Sequence, residues 1–232
     1  MVDASLPARF IAIEGPIGVG KTSLVDRLAA RFDSVKLLED AQNPFLDSFY
    51  RGRAGAAFQV QIFFLLSRHQ QHLEVAQREL FTRLVVSDYT MPKDRIFARL
   101  NLNDEEFRLY DRLYGLLTAT LPRPDLVIYL EGSIETCLRR IRMRGREYER
   151  NIDPDYLRRL KDAYNAFFYR YSETPLLVVN TDEIDFVNNR EDFDSLVEQV
   201  GRIRKGTQVY VPLGSGARTE TGRGTPPKPA AP

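Results

Sequence analysis

The chain has 232 residues, 43% hydrophobic and 28% charged, with 33 Lys and Arg against 32 Asp and Glu. That size suits one α/β domain with a sizeable core, and the balanced charge gives no polyanion-binding character, so no nucleic-acid partner is expected. A single cysteine, Cys137, rules out a disulfide framework, and no apolar run approaches the ~20 residues of a membrane span. The first strand starts by residue 9, leaving no room for a signal peptide, so the expected setting is the cytoplasm without membrane attachment.

In chain order, Arg9–Ile13 is a short apolar run, as in a buried parallel strand. Thr22–Phe32 then puts Leu24, Val25, Leu28 and Ala29 on one helical stripe. Val35–Glu39 reads as a second strand ending in a carboxylate. Asn43 and Pro44 open a helix to about Tyr50, and Phe58–Leu80 is a long helix, apolar early and polar late. A third strand, Leu84–Asp88, also ends in an acid, and helices follow over Pro92–Leu100 and Asp104–Leu121, the latter capped by Asn103. Asp125–Leu130 is a fourth strand, and Ser133 caps a helix from Ile134 to about Arg144. A helix from Pro154 to about Ser172, a fifth strand Leu176–Val179 and a last helix Arg190–Arg204 complete the pattern. Five apolar strands alternating with helices predict a parallel sheet covered on both faces, in one domain over residues 1–213. Residues 214–232 are low in complexity and are predicted to form a disordered tail.

Between the first strand and first helix stands Gly15-Pro16-Ile17-Gly18-Val19-Gly20-Lys21-Thr22, which reads G-x-x-x-x-G-K-T, a P-loop. Its glycines let backbone N–H groups turn in around phosphate oxygens at a helix N-terminus. Gly15, Gly18, Val19, Gly20, Lys21, Thr22 and Ser23 are therefore the expected ATP contacts, with Lys21 reaching the β- and γ-phosphates and Thr22 ligating Mg²⁺. In an open parallel sheet, ligands sit beyond the carboxyl ends of the strands. Glu39 falls there, placed to take a proton from an attacking hydroxyl, and so does Asp88, placed to bind Mg²⁺ directly or through water. Either acid alone reads equally well as a cap of the next turn. Arg139, Arg140, Arg142, Arg144 and Arg146 run off a helix end into Gly145, and five arginines exceed what helix-dipole compensation needs. The pattern favours an Arg-rich lid over about 142–152 that sets guanidinium groups against phosphate. Gln61 and Arg68 share a helix face and suit a base edge, but also suit a solvated face, and periodicity favours the latter. Phe97 suits base stacking, with the core as its default, and His69 and His72 lie on the polar half of the long helix without metal-ligand spacing.

Together these motifs resemble the deoxynucleoside kinase family, especially bacterial purine-specific members, from Phe10 to about Val211. The resemblance implies a P-loop kinase fold acting as a homodimer, with the strand-end Glu39 as general base for a 5′-hydroxyl. Phe49-Tyr50 is similar to the family's Tyr on the sugar 3′-hydroxyl. Gln61 through Leu66-Ser67-Arg68 looks like its base-holding Gln and the Arg that pairs with an Asp. Arg144-Gly145-Arg146-Glu147-Tyr148-Glu149 resembles its R-x-R-x-x-E lid, in which Arg144 and Arg146, with Arg142 beside them, face phosphates and Glu149 meets the 3′-hydroxyl. Asp94-Arg95-Ile96-Phe97-Ala98 resembles a family segment that sets Asp94 beside the base with Arg68 and stacks Phe97 on it. One departure stands out: the family's acid-Arg-Ser triplet after strand three is Asp88-Tyr89-Thr90 here, and Lys93 and Arg95 are the candidates to replace its Arg.

The expected activity is ATP- and Mg²⁺-dependent 5′-phosphorylation of a deoxynucleoside, a purine one, so the expected partners are a deoxynucleoside and ATP. Two alternatives stay open. A nucleoside monophosphate kinase of thymidylate-kinase type would need Arg51, Arg53 or Arg68 to hold an acceptor phosphate. A non-catalytic nucleotide-binding subunit would account for the missing triplet Arg.

Overall fold

The computed structural model describes residues 6, 8–39, 42–78, 84–150 and 152–212. The expected tail at 214–232 and the end of the long helix beyond Arg78 lie outside them.

The elements run β1 Phe10–Glu14, α1 Lys21–Phe32, β2 Val35–Leu37, α2 Leu46–Tyr50, α3 Ala56–Arg78, β3 Val85–Ser87, α4 Met91–Asn101 and α5 Asp104–Thr118. Then come β4 Leu126–Glu131, α6 Ile134–Arg144, a 3-10 turn Glu147–Glu149, α7 Pro154–Tyr169, β5 Leu176–Asn180, α8 Arg190–Arg202 and β6 Thr207–Tyr210. The sheet order is β2-β3-β1-β4-β5-β6, every pairing parallel. It therefore has six strands, where the sequence pattern predicts five. The sixth escapes notice because Thr207-Gln208-Val209-Tyr210 is a half-exposed edge strand, lacking the apolar run that marks its neighbours.

Central strands are apolar on both faces because helices cover both. Ile11, Ile13, Val127 and Ile128 are fully buried, and the same cluster takes in Leu24, Val25 and Leu28 of α1. A second cluster packs Phe10, Leu37, Val85 and Tyr89 against Leu65 of α3 and Tyr110 of α5. Local signals fix most helix starts. The Asn103 side chain accepts from the Glu106 N–H at 2.9 Å while Glu106 returns a bond to the Asn103 N–H, a full capping box. Ser133 accepts from the Thr136 N–H at 3.1 Å. The helix expected from Pro44 begins only at Leu46, because Asn43 closes a turn onto the Phe45 N–H instead.

Because all strands are parallel, the chain leaves β1, β2 and β3 at one end of the sheet. The strand order reverses beside β1, whose neighbours are β3 and β4, and ligands of open sheets bind at that switch point.

Candidate active site

A cavity of about 1030 Å³ opens at that end. Its floor is the P-loop. Gly15 and Gly18 have φ of 146° and 83°, and a Cβ on either would come within 2.5 Å of a backbone oxygen, Leu130 O or Cys137 O. Only glycine fits, because both the conformation and the close approach exclude a side chain. The Lys21 ammonium lies back across the loop, donating to Gly15 O at 2.7 Å and Pro16 O at 3.0 Å. Burial and then Lys93 bring its pKa down to about 7. Thr22 Oγ1 donates to Asp88 Oδ2 at 2.8 Å, so the P-loop hydroxyl and the strand-three carboxylate meet. Asp88 Oδ1 accepts from the Glu39 N–H at 2.7 Å, which ties the end of β2 to the end of β3.

The other half of the cavity is built from side chains. Gln61, Phe64 and Arg68 share the inward face of α3 and line it. Gln61 and Arg68 are 2% and 3% exposed, so the face that periodicity left as solvated is buried. Arg68 bridges two carboxylates, Glu39 on one side and Asp94 of α4 on the other, with its guanidinium 4.9 Å from the Phe64 ring centre. Lys93 Nζ donates to both Glu39 oxygens, at 3.1 and 3.0 Å. Arg95, by contrast, faces outward and pairs with Asp111 at 2.8 Å. Tyr89, at the position of the missing Arg, is fully buried, and its hydroxyl donates to Gln71 Oε1 at 2.8 Å.

A third wall comes from the segment after α6. Arg144 pairs with Glu149, whose other oxygen lies 3.7 Å from Arg146. Tyr148 stacks on Tyr50 with centroids 5.8 Å apart, and burial raises the Tyr50 hydroxyl's pKa. Arg140 donates to Val19 O at 2.8 Å and Thr181 O at 2.9 Å, clamping the P-loop to the loop after β5. That loop supplies Asp182 and Phe186, and Asp182 accepts from the Ser133 N–H at 2.9 Å.

Most predicted residues line this one cavity: Gly18, Gly20, Lys21, Thr22, Ser23, Glu39, Tyr50, Gln61, Arg68, Asp88, Phe97, Arg144, Arg146 and Glu149. Gly15, Val19 and Asp94 stand just behind it, Val19 through its carbonyl and Asp94 through Arg68. Arg142 is not brought in; it is exposed on α6, away from the cavity. His72, expected on a polar face, is buried between Phe10 and Tyr89.

The sequence reading missed Glu14. It is fully buried, accepts from the Thr90 N–H at 2.6 Å and its hydroxyl at 2.8 Å, and meets the Tyr164 hydroxyl at 3.4 Å. A carboxylate ending a buried strand was the available signal, since such a group needs partners. Tyr148, Tyr156 and Phe186 were also missed, because aromatic residues at helix or loop ends read first as core.

Residues 11–204 match the sequence model of the deoxynucleoside kinases. The chain belongs to the deoxynucleoside kinase family. Among its relatives in the family, the deoxyguanosine kinase of Bacillus subtilis is 37% identical over 199 residues, 83% of this chain and 96% of that one. The deoxyadenosine kinase of Dictyostelium discoideum is 33% identical over 230 residues, 96% of this chain and 92% of its own. A solved structure of the family, deoxyadenosine kinase from M. mycoides with bound dATP, superposes with a TM-score of 0.72 at 25% identity, covering 82% of this chain and 98% of that one. The same enzyme has been solved with the products dCMP and dCDP, at a TM-score of 0.72 and 26% identity.

Proposed function

We propose that this chain transfers the γ-phosphoryl group of ATP to the 5′-hydroxyl of a deoxynucleoside, with a purine as preferred base. The observation that carries this is Glu39, held at 3.0 and 3.1 Å by Lys93 in the same cavity as Lys21 and the Thr22–Asp88 pair. A carboxylate there serves a hydroxyl acceptor. Lys21 and the P-loop N–H groups bind the phosphates of the donor, and Arg144 and Arg146 reach the group in transfer. Tyr50 and Glu149 bind the sugar 3′-hydroxyl, and Gln61, Arg68, Asp94 and Phe97 hold the base. The acidic loop residue Asp182, with Phe186 and Arg140, borders the donor side.

Mg²⁺ fits the oxygen pair Thr22 and Asp88. Among the described residues no cluster of three or more His, Cys, Asp or Glu could hold a metal by itself. A hard cation bound through one or two protein oxygens and the substrate's phosphates matches that donor set. Bound there, it would offset charge on the β- and γ-phosphates.

The transfer balances as an in-line displacement. The 5′-oxygen bonds to the γ-phosphorus, the bond to the β–γ bridging oxygen breaks, and its electron pair leaves on ADP. The hydroxyl proton passes to Glu39. The purine preference is supported by the deoxyguanosine and deoxyadenosine kinases among the relatives, and by the Arg68–Asp94 pair against the base end.

The thymidylate-kinase alternative has little here to hold an acceptor phosphate. Arg51 pairs with Asp47 at the surface, Arg53 is exposed, and Arg68 is taken by two carboxylates. We further propose a homodimer through α3 and α5, where Leu66, Leu109 and Leu116 are 51%, 52% and 74% exposed. The free, buried Cys137 is in keeping with a reducing, cytoplasmic setting, and no helix among the described residues is long and apolar enough to cross a membrane. Assay with ATP against deoxyguanosine, deoxyadenosine, deoxycytidine, thymidine and dTMP tests the reading. Turnover with a deoxynucleoside, purines leading, is expected; turnover with dTMP alone, or with none, overturns it.

A further inference from the structure

We infer that Lys93 is a catalytic residue, whose ammonium fixes Glu39 and meets the acceptor oxygen and the phosphoryl group as they join. This rests on the proposed transfer.

The position is a costly one for a cation. Lys93 is 3% exposed and lies in the first turn of α4, where the helix dipole disfavours positive charge. Arg68 stands nearby and adds repulsion, and burial with that repulsion brings the Lys93 pKa down to about 8. Arg68 already bridges Glu39 and Asp94, so Lys93 brings that cluster to charge balance, and what it adds beyond balance is an N–H free to face the cavity. Of the cavity's cations, Lys21 bonds loop carbonyls, Arg140 bonds Val19 and Thr181, and Arg144 pairs with Glu149; among the described residues Arg68 and Lys93 are the ones on Glu39. Among the described residues, Glu39 is the one hydrogen-bond partner of the Lys93 ammonium.

An ammonium has three N–H donors. Two reach the Glu39 oxygens, which leaves one on a group that lines the cavity. A hydroxyl positioned to give its proton to Glu39 lies within reach of that third donor. As the oxygen–phosphorus bond forms and the proton moves to Glu39, Lys93 stays protonated and offsets charge on the entering oxygen and the phosphoryl oxygens. Asp88-Tyr89-Thr90 offers no cation for this task, because Tyr89 is buried under α3 and Arg95 turns outward.

The test is steady-state kinetics with ATP and deoxyguanosine. Wild-type turnover comes first: if wild type phosphorylates no deoxynucleoside, the proposed transfer fails, independently of Lys93. Given turnover, Lys93→Met keeps the side-chain length and loses the charge. A fall in kcat of roughly 100-fold or more is expected. KM for ATP should stay within about three-fold, since the donor contacts lie elsewhere. In Lys93→Ala, added propylamine should restore part of kcat with saturation, a response that a merely structural lysine does not give. Arg95→Ala should leave kcat unchanged. A Lys93→Met kcat within three-fold of wild type, or no amine rescue in a folded Lys93→Ala protein, overturns the inference.

Lys93→Arg keeps the proposal falsifiable if both neutral variants fail to fold. The charged and titratable groups facing Lys93 are Glu14 of β1, Lys21 of α1, Glu39 after β2, Arg68 of α3 and Asp88 after β3. None of these is altered by the change to Arg, whose charge persists to higher pH. With ATP bound, whose phosphates hold Lys21 protonated, the alkaline fall in kcat should move up in Lys93→Arg. An unchanged profile contradicts the inference.

Discussion

The two ends of the cavity are built differently. The donor end is a contiguous loop whose working groups are backbone N–H and glycine Cα atoms, with Lys21 and Thr22 close by in the chain. The acceptor end draws Glu39, Gln61 with Arg68, and Lys93 with Asp94 from three separate segments, and its charged members meet through ion pairs. A backbone site tolerates no added atom at its glycines. A side-chain site tolerates substitution but loses function when one partner is removed.

The largest effect should come at the donor end. Gly18→Val puts a branched side chain at φ 83°, with its Cβ 2.5 Å from Cys137 O, so nucleotide binding should vanish in a thermal-shift titration with ATP. Retained ATP binding would break the contrast. Next is the carboxylate between the ends. Glu39→Gln should lower kcat by roughly 10²–10⁴-fold in a coupled ADP-release assay, with KM for ATP nearly unchanged. Turnover within a few-fold of wild type would remove Glu39 as the base.

Asp94→Asn should act on the acceptor end alone. It takes one anion from Arg68, so KM for deoxyguanosine should rise roughly ten-fold or more and purine preference should relax, while KM for ATP holds. A matching rise in KM for ATP would mean that the two ends are not separable.

The smallest effect concerns the wall behind the acceptor. Burial and the nearby Arg68 bring the pKa of His72 down to about 4, against 6.5 for the exposed side chain. Between those values the unfolded chain takes up a proton that the folded one refuses. Stability should therefore fall as pH drops below 6.5, by up to about 1.4 kcal/mol per unit until pH nears 4. Denaturant melts of wild type and His72→Leu should show a weaker acid dependence in the variant.

The same difference explains what could be read in advance. The P-loop, the strand-end acids and the Asn103 and Ser133 caps are local signals, and each stands at the end of its strand or helix, whereas Asn43 closes a turn instead of capping one. Arg68 and Gln61 read as a solvated helix face, because nothing in the helical period reveals that Glu39 and Asp94 will meet that face. Glu14 shows at most as a carboxylate ending a buried strand, because Thr90 and Tyr164, its partners, are 76 and 150 residues away. The arginine run looked uniform, yet Arg140 clamps the P-loop, Arg144 meets Glu149 and Arg142 faces solvent. Strand β6 was lost because an edge strand needs no apolar run.

The central claim is that both ends serve one transfer, from ATP to a sugar hydroxyl. ATP labelled in its γ-phosphate, incubated with Mg²⁺, deoxyguanosine and the full chain, tests it most directly. The label should leave ATP for deoxyguanosine 5′-monophosphate, one ADP appearing for each, and little should reach inorganic phosphate. Label released mainly as inorganic phosphate, or left on ATP with every deoxynucleoside, would contradict it.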